Sequence, residues 1–163
     1  MHIHASMNPH RPAAETMTAQ CLCFRARRVS RALTRLYDEA LRPLGIQATQ
    51  LTLLNAMAMT GDEGTMGRLS GILAMDQTTL SRNLRPLEKA GWARIERLPA
   101  DRRVRVARLT PAGERMIAEA LPLWTTAHAR VVEALGADAA ADLRDRFDAT
   151  AAAAALSPAL AAD

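Results

Sequence analysis

The stretch from Asp76 to Thr110, DQTTLSRNLRPLEKAGWARIERLPADRRVRVARLT, constrains the chain more than any other. Asp76 is a helix-capping residue type, and Leu80, Leu84 and Leu87 follow it at spacings of four and three. Those spacings place the leucines on one helix face and leave the hydroxyls and arginines on the others. Ala93-Arg94-Ile95-Glu96-Arg97 and Val104-Arg105-Val106-Ala107 then alternate as two strands. Their connection is an arginine-rich tip, Pro99-Ala100-Asp101-Arg102-Arg103. A helix that offers short polar side chains and Arg to base edges, followed by a basic hairpin, suits duplex DNA. A solvated amphipathic helix beside a solvated hairpin is the bland alternative.

The flanking pattern sets the architecture. Thr65 can cap a short helix, Met66 to Leu73, with Leu69 and Ile72 inward. A break at Ala74-Met75 separates it from the helix capped by Asp76, so the two form a helix-turn-helix. Pro86 should bend the second of these helices, and Gly91 can end it. Upstream, Leu22, Ala26, Val29, Leu33, Leu36 and Ala40 form a narrow helical stripe over 18–41, stopped by Pro43 and Gly45. Thr49 can cap a following helix with Leu51, Leu54 and Met57 or Ala58 on one face, and Gly61 to Gly64 reads as a loop. Downstream, Thr110-Pro111 opens a long helix whose stripe is Ile117, Leu121, Trp124, His128, Val131 and Leu135. Pro122 implies a kink or break there, and Gly136 separates a last helix over about 138–156. The expected fold class is mainly α with a small β-hairpin (α+β): a winged helix-turn-helix over about 48–110, between terminal helices at 18–44 and 111–156. Residues 1–17 read as a flexible leader and 157–163 as a tail.

Charge follows the same division. The chain carries +4, but residues 65–108 hold nine Arg and one Lys against four acids, a net of +6. The remainder holds eleven bases and thirteen acids, a net of −2. The positive excess therefore sits on the segment suited to phosphates. A module that binds only protein has no need of such a stripe.

Other classes are poorly served. No apolar run approaches the ~18 residues of a membrane span, so no membrane partner is expected. The start, with His2, His4, His10, Pro9 and Pro12, lacks an apolar signal core. His2 and His4 could bind a metal, but a polar leader is the simpler reading. Cys21 and Cys23 stand too close together to staple a fold, which fits a reducing cytoplasm. No Gly-rich phosphate loop, metal-ligand cluster or Ser/His/Asp grouping is present, so neither an enzyme nor a cofactor nor a metal site is expected.

Thr78-Thr79-Leu80-Ser81-Arg82, Leu87-Glu88-Lys89-Ala90-Gly91, Asp101-Arg102-Arg103 and Leu109-Thr110-Pro111-Ala112-Gly113 occur in that order. With these segments the chain resembles the MarR family of winged helix-turn-helix regulators over roughly 19–155. The resemblance implies a homodimeric transcriptional regulator, expected to be a repressor, with the terminal helices of two copies interlocked. Two-fold symmetry then implies a pseudo-palindromic double-stranded operator with recognition helices one turn apart, about 34 Å. Gln77, Thr78, Thr79 and Ser81 would face bases and phosphates, and Arg82 and Arg85 either guanine or phosphate. In the family's Asp-x-Arg wing, matched by Asp101 and Arg103, the Arg reaches a minor groove and the Asp orients the tip. Asp101 as a simple turn residue is the alternative. Arg102 and Arg105 would add phosphate contacts. A winged-helix protein-interaction module without specific DNA binding is the rival function.

Family members release DNA when a small aromatic or anionic effector binds between the dimer region and the DNA-binding lobe. Here Arg27, Arg31, Met57, Met59, Trp124 and His128 are the candidates for such a pocket, although His128 also continues an apolar stripe. A thiol switch is the second expectation. Cys23, with Tyr37 fourteen residues later, is similar to the organic hydroperoxide-sensing branch, and nearby arginines favour thiolate. Arg27 departs from that branch, which has a second tyrosine there. Cys21 has no role in either scheme, and inert cysteine is the alternative for both thiols.

Overall fold

The computed structural model describes residues 8–99 and 101–156. Residues 1–7, Ala100 and the expected tail at 157–163 lie outside the described residues. In chain order the elements are α1 (Arg11–Gln20), α2 (Leu22–Leu41), α3 (Ala48–Thr60), α4 (Met66–Leu73), α5 (Gln77–Lys89), β1 (Ala93–Arg97), β2 (Arg105–Leu109), α6 (Pro111–Leu135) and α7 (Ala137–Leu156). Short 3-10 turns at Arg42–Leu44 and Gly61–Glu63 flank α3. The fold is the expected helical one with a two-stranded antiparallel wing, in which Ala93 pairs with Leu109 and Arg97 with Arg105.

The core lies under the helix-turn-helix. Leu41, Leu54, Met57, Leu69, Leu80, Leu84 and Leu87 are fully buried there. The helix starts follow from the capping chemistry. Thr65 Oγ1 accepts the Arg68 N–H, Asp76 Oδ1 accepts the Thr79 N–H at 2.8 Å, and Thr110 Oγ1 accepts the Gly113 N–H at 3.1 Å. β2 also joins the segment before α4: the Ala107 N–H reaches the Gly64 carbonyl at 3.0 Å, and Thr65 bridges Val106. The wing is thus stitched to the helix-turn-helix by backbone. At its far end, Thr110 Oγ1 donates to the Gly91 carbonyl at 2.6 Å and the Thr110 N–H reaches the Trp92 carbonyl at 3.1 Å.

Several expectations are corrected. The leader is not irregular throughout, because Arg11–Gln20 is helical. Pro12 sits in its first turn, where a missing N–H costs nothing, and Arg11 pairs with Glu15 one turn on at 2.7 Å. The helix expected from residue 18 is interrupted at Cys21, whose backbone is extended and whose Sγ accepts the Phe24 N–H. α3 begins before Thr49, since Gln50 Oε1 takes the Gln47 N–H and Asp38 Oδ1, from α2, takes the Ala48 N–H at 2.7 Å. Ile72 is 49% exposed, and Met66 takes the inward place with Leu69. The second strand runs over Arg105–Leu109, one residue later at its start and two at its end than expected. α6 passes through Pro122 without a break. Its face toward this chain's own core is Gly113, Ala120 and Ala127, so Leu121, Trp124 and Leu135 of the expected stripe stay exposed.

Candidate nucleic-acid interface

The first turn of α5 and the wing converge on one surface. Gln77 and Ser81 from α5, Arg103, Val104 and Arg105 from the wing, and Thr65, Met66 and Gly67 from the start of α4 line a common cleft of about 380 Å³. Gln77, Thr78, Thr79, Arg82 and Arg85 are exposed, and Ser81 is half-buried. Leu80, Leu84 and Leu87 anchor the opposite face of α5, so the polar face points outward by necessity.

Asp76 does more than start the helix. Its carboxylate also accepts the Thr79 hydroxyl at 2.6 Å, and this hydrogen bond chiefly holds its pKa below the usual carboxylate value. Thr79 is thereby turned toward the cap. Of the candidate contacts it is the one whose hydroxyl proton is already committed within the chain.

At the wing tip, Asp101 Oδ1 accepts the Arg103 N–H at 2.9 Å, and the Val104 N–H reaches the Asp101 carbonyl at 3.0 Å. Asp101 therefore folds the turn on itself, and the Arg102 and Arg103 side chains are left exposed. Both bonds are those of a turn residue.

The basic segment divides on inspection of its ion pairs. Arg68 pairs with Glu63; Arg94 with Glu96; and Arg108 with both Asp62 and Glu96. Among the described residues, Arg82, Arg85, Lys89, Arg97, Arg102, Arg103 and Arg105 have no such carboxylate partner. These seven lie on α5 and the outer wing, so the uncompensated charge is concentrated where the cleft opens. Sequence counting could not separate the two groups, because Asp62 and Glu63 lie outside the basic stretch.

The other candidates scatter. Tyr37, Trp124 and His128 do come together between α2 and α6: Tyr37 Oη lies 3.0 Å from His128 Nδ1, and Trp124 stacks on the His128 ring at 4.6 Å. Burial raises the Tyr37 pKa, so its hydroxyl stays protonated at neutral pH. Met57, only 2% exposed, is a core residue of the DNA-binding lobe. It borders a separate cleft with Ala58, Asp62, Arg94, Arg108 and Glu114. Met59, Arg27 and Arg31 are exposed. The expected effector residues thus form no single pocket in one chain. Cys21 and Cys23 are free and exposed. Cys23 and Tyr37 share α2 but stand about 21 Å apart along its axis at 1.5 Å per residue. Tyr37 is engaged with His128 instead of a thiol. Among the described residues, no group of three His, Cys, Asp or Glu is placed to hold a metal, and no helix is long and apolar enough to cross a membrane.

A helix-turn-helix with a basic wing, set between long terminal helices, defines a winged-helix protein. The MarR family model matches residues 44–104. The transcriptional regulator MosR of M. tuberculosis, solved in complex with DNA, is 32% identical, with a TM-score of 0.74 over 83% of this chain and 96% of that one. A cysteine-to-serine mutant of MarR from E. coli, solved with operator DNA, is 26% identical, with a TM-score of 0.72 over 82% and 96%. CouR from Rhodococcus jostii RHA1, solved with p-coumaroyl-CoA, shares the fold at 20% identity and a TM-score of 0.69 over 82% and 93%. Comparison with curated proteins gives no match. The chain belongs to the MarR family and is a winged-helix transcriptional regulator, not an enzyme.

Proposed function

We propose that the protein acts as a homodimeric repressor that reads a pseudo-palindromic operator with α5 in the major groove and the wing in the adjacent minor groove. The observation that carries this reading is the single cleft joining Gln77 and Ser81 to Arg103 and Arg105. Thr78, Thr79, Arg82 and Arg85 complete the α5 contacts, and Arg102 adds phosphate contacts beside Asp101 at the tip. MosR and MarR, each solved on DNA, support the same use of the fold. The uncompensated cations argue against a module that binds only protein.

The homodimer rests on what single-chain packing leaves uncovered. Leu22 and Val29 on α2, Leu121 and Leu135 on α6, and Phe147 on α7 are exposed. α2 carries five arginines against Asp38 and Glu39, whereas α7 carries four aspartates against Arg144 and Arg146, the latter paired with Asp142 within the chain. A second copy supplies the cover that the apolar side chains lack. Operator release is assigned to a small aromatic or anionic effector between the terminal helices and the DNA-binding lobe, with Trp124 and His128 as the candidate contacts. Exposed Cys23 supports oxidation as the second route to release.

The test is fluorescence anisotropy of the reduced protein on duplex from upstream of its own gene and on scrambled duplex, at several salt concentrations. Specific repression requires preference for the native duplex and a steep loss of affinity with salt through counterion release. Salt-insensitive or absent binding to both duplexes contradicts it. Light scattering of the free protein checks the dimer.

A further inference from the structure

Arg94 and Arg108 face each other directly across the wing. Like charges in that register repel and would splay the strands. Glu96, on the same strand as Arg94, lies against both, with Oε1 2.5 Å from Arg94 Nε and Oε2 3.5 Å from Arg108 Nε. Asp62 supplies the fourth charge, so two cations meet two anions and the base of the wing is neutral. Arg108 is well covered, at 22% side-chain exposure, whereas Asp62 is 91% exposed. The neighbouring Glu63 pairs with Arg68 of α4. The short Gly61–Glu63 turn therefore extends one carboxylate to the wing and the next to the helix-turn-helix.

We propose that Asp62 and Arg108 are positioning residues for DNA binding: their ion pair fixes the pitch of the wing relative to α4 and α5, and so the place that Arg103 reaches. Both line a cleft separate from the one that joins α5 to the wing tip. Backbone bonds from Gly64 and Thr65 to β2 hold the wing in the fold, but a two-stranded ribbon can still rock about them. The side-chain pair, near one end of that ribbon, opposes the rocking. The proposal rests on the reading that Arg103 contacts DNA.

The sign of the effect separates positioning from general electrostatics. Asp62→Asn removes a negative charge close to a surface that meets a polyanion, so electrostatics alone predicts tighter binding. Positioning predicts weaker binding. The full chain, Asp62→Asn, Arg103→Ala and the double variant are titrated by anisotropy on a duplex selected by the parent protein from a random pool. Asp62→Asn is expected to weaken binding about three- to tenfold, and to add nothing in the Arg103→Ala background, because coupled residues are not additive. Unchanged or tighter binding by Asp62→Asn overturns the proposal, as does a fully additive loss in the double variant; in either case a weakened Arg103→Ala leaves the wing contact standing. Parental affinity in Arg103→Ala removes the wing contact itself, and the proposal with it.

Discussion

A β-carbon on Gly113 would lie 2.1 Å from the carbonyl oxygen of Trp92. The first turn of α6 is pressed directly on the backbone that leaves α5, and the Thr110 hydroxyl spans the same junction. Gly113→Ala must push the two apart, at a cost of about 1–3 kcal/mol for an overpacked contact. The urea midpoint should fall accordingly. A midpoint equal to the parent's would mean that the junction yields freely and does not tie α6 to α5.

Leu84 is fully buried beneath α5, whereas Ile72 on α4 is half exposed. Leu84→Ala should lose about 2–5 kcal/mol of stability. Ile72→Ala should change it by no more than about 0.5 kcal/mol. Paired denaturation curves decide the matter, and a large loss at Ile72 would place that side chain in a contact absent from the single chain.

These two residues also show what the sequence could and could not disclose. Leu80, Leu84 and Leu87 were legible because a helix of fixed period must turn all three to one side. The caps at Thr65, Asp76 and Thr110 were legible because their bonds span only three residues. Ile72 was misjudged because a short helix offers too few turns to define its buried face. The start of α3 was misplaced because one of its capping partners, Asp38, comes from another helix. The candidates on α5 and the wing do meet at one cleft, yet three arginines in the same basic stretch are held by carboxylates. Partners distant in sequence, such as Asp62 for Arg108, emerge only from tertiary packing.

Arg82 is exposed on α5 without a carboxylate partner among the described residues. Arg82→Ala should reduce the preference for operator over random duplex about tenfold if it reads a base edge. Equal weakening on both duplexes would instead make it a phosphate contact. Competition titrations at fixed salt separate these outcomes.

Asp76 has a depressed pKa, caused first by the Thr79 hydroxyl and then by the Thr79 N–H. Its ionised form therefore stabilises the fold above the unfolded-state pKa, near 4, and that contribution is lost as pH falls through the lower folded value. Asp76→Asn keeps a capping oxygen that does not titrate there. The parent's melting temperature should drop more steeply than the variant's below about pH 4. Parallel acid profiles would show that the cap contributes equally in both protonation states.

Ala74, between α4 and α5, has φ 49° and is the one non-glycine residue with positive φ among those described. A methyl-bearing residue accepts this shape at some energetic cost, but it also has fewer alternative shapes to visit when released. Two backbone bonds close the turn: the Ala74 N–H reaches the Gly71 carbonyl at 3.3 Å and the Met75 N–H the Ser70 carbonyl at 3.0 Å. The strain at that one residue is thus set against these two closures, and the angle between α4 and α5 depends on a side chain that belongs to neither helix.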